Sequence, residues 1–169
     1  MDYPRHILGI DPGLGITGYG VLEITPSKPL LREAGIVRSA DDGATGLAEK
    51  VLSVYNGIVD VIAQFPPVAM AVEELYAHYD HPRTAILMGH ARGVIFLAAA
   101  QRGIPVVSYA ATQVKKLITG NGRASKEQVQ RTIQHELGLA TLPEPPDVAD
   151  ALAVALCHYY IQRTQGAIA

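Results

Sequence analysis

Apolar residues fall into short blocks over the first forty positions. Arg5–Ile10, Thr17–Ile24 and Leu30–Val37 are bounded by Gly, Pro, Ser or Asp, a punctuation that predicts three strands joined as an antiparallel meander. From Leu47 the period changes. Leu47, Val51, Val54, Ile58, Val61, Ile62 and Phe65 recur at the spacing of an amphipathic helix that stops at Pro66-Pro67, and Val68–Val72 follows as a short buried strand. Pro82 opens a second helix, to about Arg102, whose apolar residues (Ile86, Leu87, Met88, Val94, Ile95, Phe96, Leu97) point almost all round, so it needs cover on more than one side. Pro105–Ser108 reads as a strand, Thr112–Ile118 as a short helix and Gly120–Ala124 as a loop. Ser125 with Gln128 three residues later forms a capping box for a helix to about Leu137, and a last helix is expected from about Asp147 to Arg163.

This order, β-β-β-α-β-α-β-α-α-α, indicates an α/β fold: a mixed five-stranded sheet with helices on both faces. The chain has 169 residues, 49% of them hydrophobic, enough for one core and one domain over residues 1–169. A single cysteine, Cys157, excludes an internal disulfide and suits a reducing compartment. No apolar run approaches a signal-peptide core or a membrane span, so a cytoplasmic location without a membrane partner is expected.

Net charge, at −2, says little, but its distribution does. Residues 81–135 carry eight basic residues against one acid, Glu127, whereas the remainder carries six basic and fifteen acidic ones. One surface can therefore attract phosphate while carboxylates gather elsewhere.

Asp11 stands at the carboxyl end of the first strand, where Pro12-Gly13 turns the chain away; the position suits a turn aspartate or a catalytic one. Asp147 and Asp150 share a face in the first turns of the last helix. Acids there complement the helix dipole, but at 100° per residue Val154, Cys157 and Ile161 extend the same stripe. Carboxylates aimed inward with apolar residues need a proton, a hydrogen-bond partner or a cation. Glu73 and Glu74 end the strand Val68–Val72, and alternation points one inward and the other out without choosing between them. Hard oxygen ligands at two strand ends and a helix start suit Mg²⁺ or Mn²⁺. Two such ions about 4 Å apart would activate a water and stabilise the leaving oxygen of a phosphodiester. His78 and His81 flank Asp80 in a loop without an evident third ligand. His158 either orients water or a carboxylate, or is a satisfied core histidine, and Cys157 reads as a small core residue.

The segments Gly9-Ile10-Asp11-Pro12-Gly13, Thr17-Gly18-Tyr19-Gly20-Val21, Ala71-Val72-Glu73, Gly89-His90-Ala91-Arg92-Gly93-Val94, Ala110–Lys115 and Asp147–Ala153, in this order over nearly the whole chain, resemble the RuvC family of Holliday-junction resolvases. The resemblance implies a ribonuclease H-like fold, a homodimer, catalysis with two metal ions per site held by Asp11, Glu73, Asp147 and Asp150, and symmetric nicking of a four-way DNA junction. It selects Glu73 over Glu74. It also implies that Tyr76 meets bases near the junction, where family members often have phenylalanine, and that Lys115 and Lys126 lie near the scissile backbone. The apolar helix Arg83–Arg102 becomes the dimer interface, and a branch-migration motor a partner. Arg123, in the loop between these lysines, is a further candidate for DNA contact.

Two other classes fit parts of the pattern. Actin-like ATPases and sugar kinases also open with a strand, an aspartate and a glycine turn, but they bind nucleotide between two such domains, and 169 residues supply one. A non-catalytic nucleic-acid-binding module would keep the basic stretch without needing all four acids.

Overall fold

A computed structural model of the chain describes residues 5–39, 45–75 and 82–166. The strands are β1 (His6–Asp11), β2 (Ile16–Glu23), β3 (Leu30–Arg38), β4 (Pro67–Glu73) and β5 (Val106–Tyr109). The helices are α1 (Leu47–Gln64), α2 (Pro82–Ala100), α3 (Ala111–Thr119), α4 (Lys126–Leu137) and α5 (Pro146–Thr164). The predicted order holds, with ends displaced by a residue or two.

The sheet order is β3-β2-β1-β4-β5. β1, β2 and β3 form the expected antiparallel meander, and β4 and β5 continue in parallel from β1. The two strands added in parallel arrive through helical crossovers, as parallel pairing requires.

Alternation along the central strands feeds two cores. Ile7, Leu22 and Ala71 face a layer made by α3, α4 and α5, whereas Leu8, Ile10, Val21, Met70 and Val72 face α1 and α2. The two apolar-rich helices are covered to different degrees. α5 carries more than an inward stripe: every residue from 151 to 159 is buried, because the sheet covers one side and α3 and α4 the other. α2 buries Ala91, Ile95, Ala98 and Ala99 but leaves Ile86 63% and Leu97 49% exposed. No helix among the described residues is long and apolar enough to cross a membrane.

The capping box forms as predicted. The Gln128 N–H donates to Ser125 Oγ at 3.2 Å and the Ser125 N–H to Gln128 Oε1 at 2.8 Å, fixing where α4 begins and thus where Lys126 stands.

Candidate active site

The carboxyl ends of β1 and β4 and the amino end of α5 meet at one edge of the sheet. Side-chain parity brings Asp11 and Glu73 there. Ile7, Gly9 and Asp11 share one face of β1, Ala71 and Glu73 share one face of β4, and that face is the one α5 covers. Gly9 pairs with Ala71 and Ile10 with Val72, so the next positions, Asp11 and Glu73, lie side by side. Glu74 has the opposite parity and is exposed, its N–H donating to the Tyr109 carbonyl at 2.9 Å.

α5 completes the site because glycines let it lie almost on the strands. A Cβ at Gly9 would sit 2.1 Å from the Ala151 carbonyl oxygen, and one at Gly18 would sit 2.1 Å from that of Asp147. The glycine-rich strands are thus a bed for a helix rather than a phosphate loop. With α5 so close, a carboxylate oxygen from each of Asp11, Glu73 and Asp150 lies within 4.8 Å of the others. Asp147, one turn earlier, is half-buried and outside this trio, but its charge acts on both Asp11 and Asp150.

Carboxylates so placed hold protons tightly. Burial foremost, then the charges of Glu73, Asp150 and Asp147, push Asp11 from 3.8 to about 8 against the pull of Lys126. Burial and Asp150 push Glu73 from 4.5 to about 7, opposed by Lys115 and Lys126. Asp150 is also raised, chiefly by burial, with Lys126 and Lys115 opposing and Asp147 adding. Three crowded, half-buried oxygen donors with raised proton affinity fit a hard divalent cation, which can neutralise them together.

The trio lines a cleft of about 550 Å³. Half-buried Lys115 on α3 and exposed Lys126, the first residue of α4, stand on its wall, while Leu75, Met88, Ala110 and Val114 supply apolar lining. Arg123 is exposed on the loop between α3 and α4, where its N–H donates to Asn121 Oδ1 at 2.9 Å, and it does not line the cleft. Tyr76, His78, Asp80 and His81 lie outside the described residues.

His158 stands apart from the acids. Its Nδ1 is 2.7 Å from the Tyr109 hydroxyl, both residues are buried, and burial lowers its proton affinity. It is a satisfied core histidine tying α5 to β5. Cys157 is fully buried, its thiol pushed up to about 11 by burial, as befits a packing residue.

Three supporting residues escaped the sequence reading. The buried Thr17 hydroxyl donates to the Gly13 carbonyl at 2.7 Å and accepts from the Gly13 N–H at 3.3 Å, pinning the turn after Asp11. Arg92 of α2 donates to the Glu73 carbonyl through Nη1 and to Ser108 Oγ at 2.8 Å through Nη2. Arg92 left two traces in the sequence: with His90 it interrupts the apolar run of α2, and it stands in the segment Gly89–Val94 that carries the resemblance.

The family model for crossover junction endodeoxyribonuclease RuvC matches residues 7–158. The chain is similar to crossover junction endodeoxyribonuclease RuvC of Rhodopirellula baltica, 51% identical over 155 residues, which is 92% of this chain and 86% of that protein. Its counterpart of the same description from Desulforamulus reducens is 45% identical over 160 residues, covering 95% and 96% of the two chains. Among solved structures, Thermus thermophilus RuvC in complex with Holliday junction substrate matches with a TM-score of 0.87 at 33% identity, covering 95% of this chain and 96% of that one. The five-stranded sheet with its helices is the ribonuclease H-like fold of these proteins.

Proposed function

Since the chain belongs to the RuvC family of crossover junction endodeoxyribonucleases, we propose that it resolves four-way DNA junctions by paired, symmetric nicks, through metal-dependent phosphodiester hydrolysis at Asp11, Glu73, Asp147 and Asp150. The observation that carries this reading is the convergence of Asp11, Glu73 and Asp150 from three separate elements in a cleft that Lys115 and Lys126 also line. Asp147 completes the set needed for two Mg²⁺ or Mn²⁺ ions. Such ions, when bound, supply an activated water and neutralise charge at the leaving oxygen. The chain's own part is to hold four acids at fixed spacing, to bring phosphate to them with Lys115, Lys126 and Arg123, and to exclude solvent along the apolar wall. Tyr76 is proposed to stack on bases near the crossover.

The test compares a four-way junction with linear duplex of matching sequence, each with and without Mg²⁺ or Mn²⁺. Paired nicks confined to the junction and to metal-containing reactions support the reading. Equal cutting of both substrates, or none of either, overturns it.

Each phosphate contact should show in the salt dependence of junction binding. Neutralising Lys115, Arg123 or Lys126 to Gln should flatten the slope of log affinity against log salt by about 0.9 apiece. Three unchanged slopes would remove these residues from the interface.

A homodimer is part of the proposal, supported by α2. Ile86, His90, Gly93 and Leu97 recur at helical spacing along one exposed stripe, and nothing lies within 4 Å of a Cβ built at Gly89 or Gly93, so a second backbone can approach. A two-fold contact there sets two active sites about a dyad, matching the symmetry of a junction. Val94 is half-buried against its own core, so Leu97 is the better probe. Leu97→Glu should weaken dimerisation at least roughly tenfold, since burying an unpaired charge costs more than 1.4 kcal/mol, and should turn paired nicks into single ones. Light scattering and nicking assays on the same sample check this; a stable dimer with paired nicks speaks against the α2 interface. Family membership further supports a branch-migration motor as partner, and the DNA substrate supports a cytoplasmic location.

A further inference from the structure

We infer that Arg92 is a positioning residue of the metal site, acting through the main chain of Glu73; the inference rests on the metal-dependent reading above. β4 ends at Glu73 and β5 at Tyr109, so the strand end that must present a carboxylate lies at the last ladder pair, with the Glu74 N–H to Tyr109 carbonyl bond beyond it. A strand end held by few bonds frays, and a frayed Glu73 would not keep its oxygen with those of Asp11 and Asp150.

Arg92 closes that end. Its Nη1 donates to the Glu73 carbonyl oxygen and its Nη2 to Ser108 Oγ at 2.8 Å, so one rigid fork ties α2 to β4 and β5 together. The guanidinium carbon lies 4.8 Å from the centroid of the Phe96 ring, which backs the fork on one side. Asp150, Lys115 and Lys126 act on the Glu73 carboxylate through their charges, and Glu73 and Asp11 repel each other, whereas Arg92 meets Glu73 at its backbone. Arg92 therefore sets where the carboxylate stands, and the lysines modulate its charge. Lysine would not replace it, since an ammonium on a flexible stem lacks the planar fork that reaches both acceptors.

The experiment is Mn²⁺ titration by calorimetry on DNA-free protein, paired with the metal dependence of junction cleavage, for wild type, Arg92→Met, Arg92→Lys and Ser108→Ala. Arg92→Met should weaken Mn²⁺ binding by roughly 10–100-fold, the range for lost outer-shell partners of a metal ligand. The metal concentration for half-maximal cleavage should rise by the same factor, while metal-free junction binding changes less than about twofold. Arg92→Lys should fall between wild type and Arg92→Met, and Ser108→Ala should lose several-fold. Wild-type Mn²⁺ affinity in Arg92→Met overturns the inference. So does junction affinity falling in step with cleavage at unchanged Mn²⁺ affinity, which would make Arg92 a DNA contact. If Arg92→Met does not fold, Arg92→Lys and Ser108→Ala decide: both must weaken Mn²⁺ binding while melting close to wild type, and wild-type affinity in both refutes the assignment. Asp11→Asn tests the underlying reading separately. Wild type that binds no Mn²⁺, or Asp11→Asn that binds it equally well, removes the metal site itself; normal binding by wild type and loss in Asp11→Asn leave Arg92 alone in question.

Discussion

Asp11→Asn is expected to abolish junction cleavage and, at pH 8 without metal, to make the protein more stable. Both effects come from the same crowding. A metal site supplies several kcal/mol of charge stabilisation in the transition state, and about 1.4 kcal/mol is a factor of ten, so losing a ligand should cost on the order of 10³-fold or more in rate. Glu73→Gln, Asp147→Asn and Asp150→Asn should be similarly inactive, whereas Glu74→Gln, outside the trio, should be mild. Junction binding should survive in all five, because the lysines of the cleft wall remain.

The stability effect follows from the sign of the shifts. Asp11 goes from 3.8 to about 8 and Glu73 from 4.5 to about 7 on folding. Between these limits the unfolded chain has released protons that the folded chain still holds, so stability falls as pH rises from about 4 to about 8. It is level above that window. Removing one charge should therefore raise the melting temperature of the metal-free protein at pH 8. With solvent access discounted, an effect on the order of 1–2 kcal/mol, or about 2–8 °C for a chain of this size, is expected. Mn²⁺ should stabilise wild type more at pH 8 than at pH 6, since it competes with those protons. Thermal melts of wild type and Asp11→Asn at both pH values, with and without Mn²⁺, check this. A variant less stable than wild type at pH 8 would show that Asp11 is held by hydrogen bonds rather than strained by burial and repulsion.

What was legible in the sequence depended on how local the cause was. Strand punctuation, the period of α1 and the Ser125–Gln128 box are settled within a few residues, and they appear where expected. The Asp147–Asp150 spacing put two acids on one helix face by geometry alone. Strand parity could not choose Glu73 over Glu74, because which face of β4 receives α5 is a tertiary fact; the family resemblance made that choice. The cover of α5 was hidden for the same reason: it reads as a stripe yet is covered all round because its alanines at 149, 151, 153 and 155 allow close neighbours, whereas α2 reads as apolar all round and its own domain leaves Ile86 and Leu97 bare. Arg92 and Ser108 were invisible as a pair because their connection to Glu73 spans three elements.

The glycines of the first two strands offer the sharpest test of how the fold builds the site. Gly9→Ala would place a methyl 2.1 Å from the Ala151 carbonyl oxygen and 2.7 Å from the Ala155 Cβ; Gly18→Ala would place one 2.1 Å from the Asp147 oxygen and 2.4 Å from its carbonyl carbon. Helix backbone cannot yield locally, so α5 must lift by about an ångström, carrying Asp147 and Asp150 away from Asp11. Overpacking of this kind costs roughly 1–3 kcal/mol, and a displacement of about 1 Å in a catalytic constellation costs on the order of 10²-fold in rate. Gly20→Ala meets the end of the Leu152 side chain at 2.5 Å, which can rotate aside, so its effect should be several-fold smaller. Gly15→Ala, exposed and with nothing within 4 Å, should be neutral. Melting temperatures and cleavage rates for the four variants should therefore rank Gly15, Gly20, then Gly9 and Gly18 together. A Gly18→Ala enzyme that melts and cuts like wild type would mean that α5 does not rest on the strand backbone, and that the placing of Asp150 beside Asp11 needs another cause.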